Sequence, residues 1–145
     1  MKPSKLIVAC AAVVVAASLG LANDVSGMME EQKLTYEQVV ENLKSADPEV
    51  RGNAIHELVI LGECDPINAK KICYTILGSL VDEAAIVRET AATSLGFLCY
   101  QVPALATTEL RSKILEYVKQ MPEDDRMTGI KAFNQIADLM PEDDQ

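Results

Sequence analysis

Asp47-Pro48-Glu49-Val50-Arg51-Gly52-Asn53-Ala54-Ile55-His56-Glu57-Leu58 is the stretch whose reading decides the fold. It returns, altered, as Asp82 followed by Val87-Arg88, Ala91, Leu95 and Gly96. A fainter third copy holds Arg126, Gly129 and Phe133. Val50-Arg51 and Val87-Arg88 are offset by 37 residues, as are Ala54 and Ala91, Leu58 and Leu95, and, earlier in the chain, Leu43 and Leu80. Arg126, Gly129 and Phe133 lie 38 after Arg88, Ala91 and Leu95, and Val118 lies 38 after Leu80. A fixed period in this range is the mark of stacked helical repeats. Ala54 and Leu58 are one helical turn apart and share a face. The small residue admits a neighbouring helix, and the Leu fills the space beside it.

Working outward, start signals divide the chain into helices. Thr35-Tyr36-Glu37-Gln38 is a capping box ahead of a first helix with Tyr36, Val39, Val40 and Leu43 on one face. Asp47-Pro48 opens a second, which is expected to run to about Leu61 and to end at Gly62. Asp65-Pro66 opens a third through Leu80, and Asp82-Glu83 a fourth with Val87, Ala91, Leu95 and Leu98 inward. After a break from Gln101 to Ala106, Thr107 or Thr108 caps a fifth. Pro122, with Glu123, Asp124 and Asp125 near its positive dipole end, begins the sixth. No stretch alternates with period two, so the fold class is all-α. Met121-Pro122-Glu123-Asp124-Asp125 recurs as Met140-Pro141-Glu142-Asp143-Asp144. It lacks the spaced ligands and Gly of a calcium loop, so it reads as a helix start used twice.

The 145 residues support one domain with extensions, and the aromatic content of 4% with no Trp leaves a core of aliphatic and Met side chains. Residues 1–22 read as a signal peptide: Lys2 and Lys5, an uncharged apolar run from Leu6 to Leu19, then Gly20-Leu21-Ala22 as the cleavage pattern. The same segment also reads as a retained anchor if its apolar run extends to Ala22. Cys10 after Ile7-Val8-Ala9 offers a lipidation site, with only a short apolar run before it. Residues 23–34 form a polar lead-in, 35–140 the repeat domain and 141–145 an acidic tail. Loss of Lys2 and Lys5 with the leader takes the formal charge from -9 to -11. That argues against nucleic acid as a partner, since phosphate binding needs clustered Lys and Arg. The leader pattern points to an exported protein, periplasmic or secreted, with no stable membrane span after cleavage.

Cleavage leaves Cys64, Cys73 and Cys99, an odd number. Cys73 lies on the apolar face of the third helix, about 12 Å along from its start, and is out of reach of Cys64. Cys64 and Cys99 sit near the ends of equivalent helices and are the candidate disulfide. Zinc binding lacks paired cysteines at ligand spacing, and the chain has one His.

Six helices in three pairs resemble HEAT repeats. The likeness is carried by Asp47, Pro48, Val50, Arg51, Ala54 and Leu58, and by Val87, Arg88, Ala91, Leu95 and Gly96. It covers roughly residues 35–140 and is weakest in the third copy, which lacks Val before Arg126. The resemblance implies a right-handed alpha-alpha superhelix of about three helix pairs. It also implies Asp–Arg ladders between repeats, with Arg51, Arg88 and Arg126 aligned on acidic neighbours such as Asp47 and Asp82. The repeat positions Asp47, Arg51, Ala54, Leu58, Asp82, Arg88, Ala91, Leu95 and Arg126 are therefore structural.

Two relatives of that fold are enzymes. Deoxyhypusine hydroxylase holds two irons with repeated His-Glu pairs; here His56-Glu57 stands alone, with Thr93-Ser94 at the equivalent place. The phycobilin lyases hold a tetrapyrrole, and nothing here points to a chromophore. No nucleophile motif or phosphate loop is present. The expectation is a non-catalytic exported module without cofactor or metal, binding a basic or neutral protein partner through the surface of stacked helices. The alternative is a cofactor or metal carrier using His56 or a free Cys. The oligomeric state is left open, including assembly into a longer array.

Overall fold

The computed structural model describes residues 34–140. They form six α-helices: α1 Tyr36–Asn42, α2 Pro48–Cys64, α3 Ala69–Gly78, α4 Ala85–Gln101, α5 Thr108–Val118 and α6 Arg126–Asp138. Single 3-10 turns at Ser79–Val81, Pro103–Leu105 and Glu123–Asp125 join them, and no strand occurs among the described residues. The expected signal peptide of residues 1–22, with Cys10, and the expected acidic tail 141–145 lie outside the described residues. So does the lead-in except its last residue, Leu34, which packs half-buried against the core.

The helix starts follow their capping chemistry. Thr35 Oγ1 accepts from Gln38 N at 3.3 Å while Gln38 Oε1 accepts from Thr35 N at 2.8 Å, closing both halves of a capping box. Asp47 Oδ1 accepts from Glu49 N at 2.9 Å, with Pro48 as the first helical residue of α2. Of the two threonines before α5, Thr107 is the cap, accepting from Leu110 N at 3.2 Å.

Four boundaries differ from the sequence reading. Helix α2 runs through Gly62 to Cys64. Gly62 is buried, and a Cβ there would lie 3.0 Å from Leu98 Cδ1, so this glycine serves close packing rather than termination. Helix α3 starts at Ala69, not Pro66, because Asp65 Oδ1 accepts from both Ile67 N and Asn68 N and holds those residues in a turn. Helix α4 starts at Ala85: Asp82 Oδ1 accepts from Ala84 N at 2.8 Å, and Ala84 is extended. Helix α6 starts at Arg126, since the acidic triplet before it forms the 3-10 turn.

Packing follows the repeat. Helix α2 lies against α4, and α4 against α6; α1 packs on α2, α3 on both α2 and α4, and α5 on α6. Ala54 and Ala91 are fully buried where the helices approach, and Leu58 and Leu95 fill the space beside them. Ile55, Ile72, Ile76, Leu98, Ile114 and Ile136 belong to the same continuous core. Burial of each such side chain contributes roughly 1.5–3 kcal/mol. In the third copy Gly129 is buried, and a Cβ there would strike Val118 Cγ2 and lie 3.0 Å from Met121 Sδ. The missing side chain is what lets α6 close on α5. Phe133 is half-buried, with the Arg111 guanidinium 4.5 Å from its ring centroid.

Candidate functional site

Arg51 and Arg88, one in each of the two clear copies, are buried at 6% exposure each. Arg51 donates from Nε to Asp82 Oδ2 and from Nη2 to Asp82 Oδ1, each at 2.8 Å. Its Nη1 donates to the carbonyls of Ser45 at 2.8 Å and Ala46 at 3.2 Å. Arg88 repeats the carbonyl contacts but grips its acid with one prong: Nη1 donates to the carbonyls of Asp82 at 2.6 Å and Glu83 at 2.8 Å, Nη2 meets Asp125, and the buried Nε has no hydrogen-bond partner among the described residues. Each guanidinium thus closes the turn before its own helix and grips a carboxylate of the following copy. Burial alone would raise the Asp82 carboxyl, but hydrogen bonds from Arg51 and from the Ala84 N–H outweigh it and hold the group below its ordinary range. The bond to Asp82 in turn raises Arg51.

The remaining repeat positions fall as follows. Asp47 caps α2, and the carboxylate facing Arg51 is Asp82. Arg126 is exposed, donates Nε to the Met121 carbonyl at 3.2 Å and makes no ion pair among the described residues. Ala54, Leu58, Ala91 and Leu95 lie in the core. Of the two cysteines of the candidate disulfide, Cys64 is exposed at the end of α2 and Cys99 is fully buried in the core.

The outward face of α2, α4 and α6 carries the features the sequence reading passed over. Ile60 is 57% exposed, Phe97 47% and Tyr100 67%. Two adjoining hollows lie there. One of about 400 Å³, between α2 and α4, is lined by His56, Val59, Ile60, Glu63, Thr93 and Phe97 among others. The second, about 360 Å³, lies between α4 and α6 and is lined by Thr93, Phe97, Tyr100, Gln135 and Asp138 among others. Thr93 and Phe97 therefore form the ridge between them. The lining obeys the repeat: His56 and Thr93, Ile60 and Phe97, and Glu63 and Tyr100 are each 37 apart, while Phe97 and Gln135 are 38 apart. The available signal was an apolar residue two positions after each core Leu, on the far side of the helix.

The electrostatics of this face are one-sided on α2 and α4. Glu49, Glu63 and Glu89 are exposed, and the only cations of these two helices, Arg51 and Arg88, are buried in their ion pairs. Helix α6 adds Asp138 and Lys131. His56 lines the first hollow, but no group of three His, Cys, Asp or Glu among the described residues is placed to hold a metal ion. No helix among the described residues is long and apolar enough to cross a membrane. No family model, curated protein or solved structure matches the chain.

Proposed function

We propose that the chain is an exported, non-catalytic module that binds a protein partner through the α2–α4–α6 face, its helix pairs stacked as a short HEAT-like right-handed superhelix. The observation that carries the reading is the exposure of Ile60, Phe97 and Tyr100 around two adjoining hollows. Single exposed apolar residues are ordinary on a protein surface; a contiguous group rimmed by polar residues is the usual form of an interaction site. Aromatic side chains beside pockets are also the type that dominates binding energy. In this reading Arg51–Asp82 and Arg88–Asp125 are rungs between successive helix pairs and hold the two hollows in register.

The partner chemistry follows from the rim. A segment that sets apolar side chains on either side of Phe97 brings its flanks near Glu63 and Asp138, so cationic flanks are favoured. Export is supported by the leader pattern of Lys2, Lys5, the Leu6–Leu19 run and Gly20-Leu21-Ala22. The reading is tested with two synthetic amphipathic helices of equal length, one of Leu and Lys and one of Leu and Glu. Titration of the labelled protein with the cationic peptide is expected to shift the amides of His56, Thr93, Phe97 and Gln135, and Phe97→Ser is expected to abolish the shifts. Equal responses to both peptides, or shifts confined to α1, α3 and α5, would overturn it.

A further inference from the structure

Helices α2, α4 and α6 pack side by side, and their contacts fix which side of each meets the next. Arg51 reaches Asp82 and Gly62 abuts Leu98; Arg88 reaches Asp125 and Gly96 abuts Gln135. Arg51, Ile55, Val59 and Gly62 therefore form the forward stripe of α2, spaced as one helix face. Their equivalents on α4 are Arg88, Ala92, Gly96 and Cys99, and every member of both stripes is buried. The same positions on α6 are Arg126, Ile130, Asn134 and Ala137; here Arg126 and Asn134 are exposed, and Ile130 and Ala137 half-exposed. The rearward sides mirror this. Val87, Ser94 and Leu98 on α4 are buried, whereas their equivalents on α2, Val50, Glu57 and Leu61, are exposed or half-exposed. Val50 is 37% exposed against 0% for Val87. The row thus has two uncovered stripes whose counterparts already pack on each other twice within the chain.

We propose that a second copy of this chain docks there, the forward stripe of α6 in one copy packing on the rearward stripe of α2 in the next. Charge complementarity names the occupant. Arg88 takes as its carboxylate Asp125, the residue just before α6. Asp47 holds the same post before α2 and is exposed, while Arg126 makes no ion pair among the described residues. Docking sets Arg126 on Asp47 as the next rung. The two stripes also depart from their buried counterparts in matching ways. Asn134 stands where α2 and α4 have Val59 and Gly96, and Glu57 stands where α4 and α6 have Ser94 and Ala132. Glu57 Oε2 has no hydrogen-bond partner among the described residues, and docking brings the Asn134 amide beside it as a donor. A row that stops covers its outer sides with polar residues, yet these keep Val50 and Leu61 at one side and Met127 and Ile130 at the other. The contact joins two different surfaces, so it closes a ring or grows as a filament. Phe97 lies on neither stripe, and the outward face stays open.

The experiment uses the protein purified from the cell that produces it, in sedimentation over a range of concentrations. The mean mass is expected to rise with concentration to at least twice that of one chain. Arg126→Asp sets two carboxylates against each other across the contact, and Val50→Lys sets an ammonium against Arg126. Each alone is expected to weaken association about thirtyfold or more. Each variant keeps one intact stripe, so a mixture of the two is expected to form a dimer that grows no further. Both positions are exposed, and each variant is expected to keep the helical signal and melting midpoint of the monomeric wild type. Phe97→Ser is expected to leave self-association unchanged, which separates this contact from the outward face. A mass that stays that of one chain throughout, as when a terminal segment of the same chain covers either stripe, overturns the proposal. So does an association that survives either variant, a mixture that fails to pair, or one lost in Phe97→Ser.

Discussion

Arg51 on α2 and Asp82 ahead of α4 meet in a two-pronged ion pair, with side-chain exposures of 7% and 15%. The pair sets a pH dependence whose sign is fixed by Asp82. The native carboxyl is held below its ordinary value of 3.8, so the unfolded chain takes up the proton first as pH falls. The stability it contributes is complete above that value and is lost as pH drops through the lower native value. Thermal midpoints are expected to be flat near neutrality and to decline below about pH 4. Asp82→Asn is expected to melt lower at pH 7 and to show a shallower acid decline than the wild type.

Arg88 serves three acceptors at once: Asp125 and the carbonyls of Asp82 and Glu83. Removing it leaves a half-buried carboxylate and two turn carbonyls without their donor. Arg88→Ala is expected to cost about 3 kcal/mol in urea unfolding. Arg88→Lys is expected to recover only a minor part, because an ammonium does not reproduce the planar fork.

The glycines divide by what faces them. Gly52 lies inside α2, and the nearest atom to a Cβ there is Thr90 Oγ1 at 4.0 Å. Gly52→Ala is expected to stabilise by about 0.5–1 kcal/mol through helix propensity. Gly129 faces Val118 and Met121, and Gly129→Ala is expected to destabilise by about 1–3 kcal/mol as α6 is pushed off α5. Denaturation of the two variants side by side gives opposite signs if the α5–α6 approach depends on the missing side chain.

The leader reading makes its own prediction. Intact-mass measurement of the exported protein is expected to give a chain beginning at Asn23. A chain retaining Met1, or one carrying lipid on Cys10, would replace the cleaved leader with an anchor.

Much of the fold was legible in the sequence, because helix starts and core positions are written locally. The capping box at Thr35, Asp47-Pro48 and the core pairs Ala54–Leu58 and Ala91–Leu95 each depend on residues within one helix. Boundaries went astray where a side chain competed for the helix start. Asp65 and Asp82 look like caps, yet each holds a turn and delays its helix. The partners of the buried arginines were harder to read. Asp82 lies 31 residues beyond Arg51, whereas Asp125 lies 37 beyond Arg88, so the carboxylates do not keep the period of the cations. The turns before α4 and α6 differ in build and deliver an acid to the same place from different registers. Phe97 and Ile60 were passed over because attention to the core stripe discards the opposite face.

The account rests most on the outward face of α2, α4 and α6, and one measurement meets it directly. A photo-cross-linking phenylalanine analogue is placed at Phe97, or at Leu115 on α5, which is 38% exposed and distant in sequence from both hollows. Each protein is irradiated in the cell that produces and exports it, and the cross-linked residue of any adduct is mapped. The account predicts an adduct from position 97 alone, joined to a segment bearing Lys or Arg beside apolar residues, and lost on Glu63→Lys with Asp138→Lys. Adducts of equal yield from both positions, or none from position 97, would contradict it.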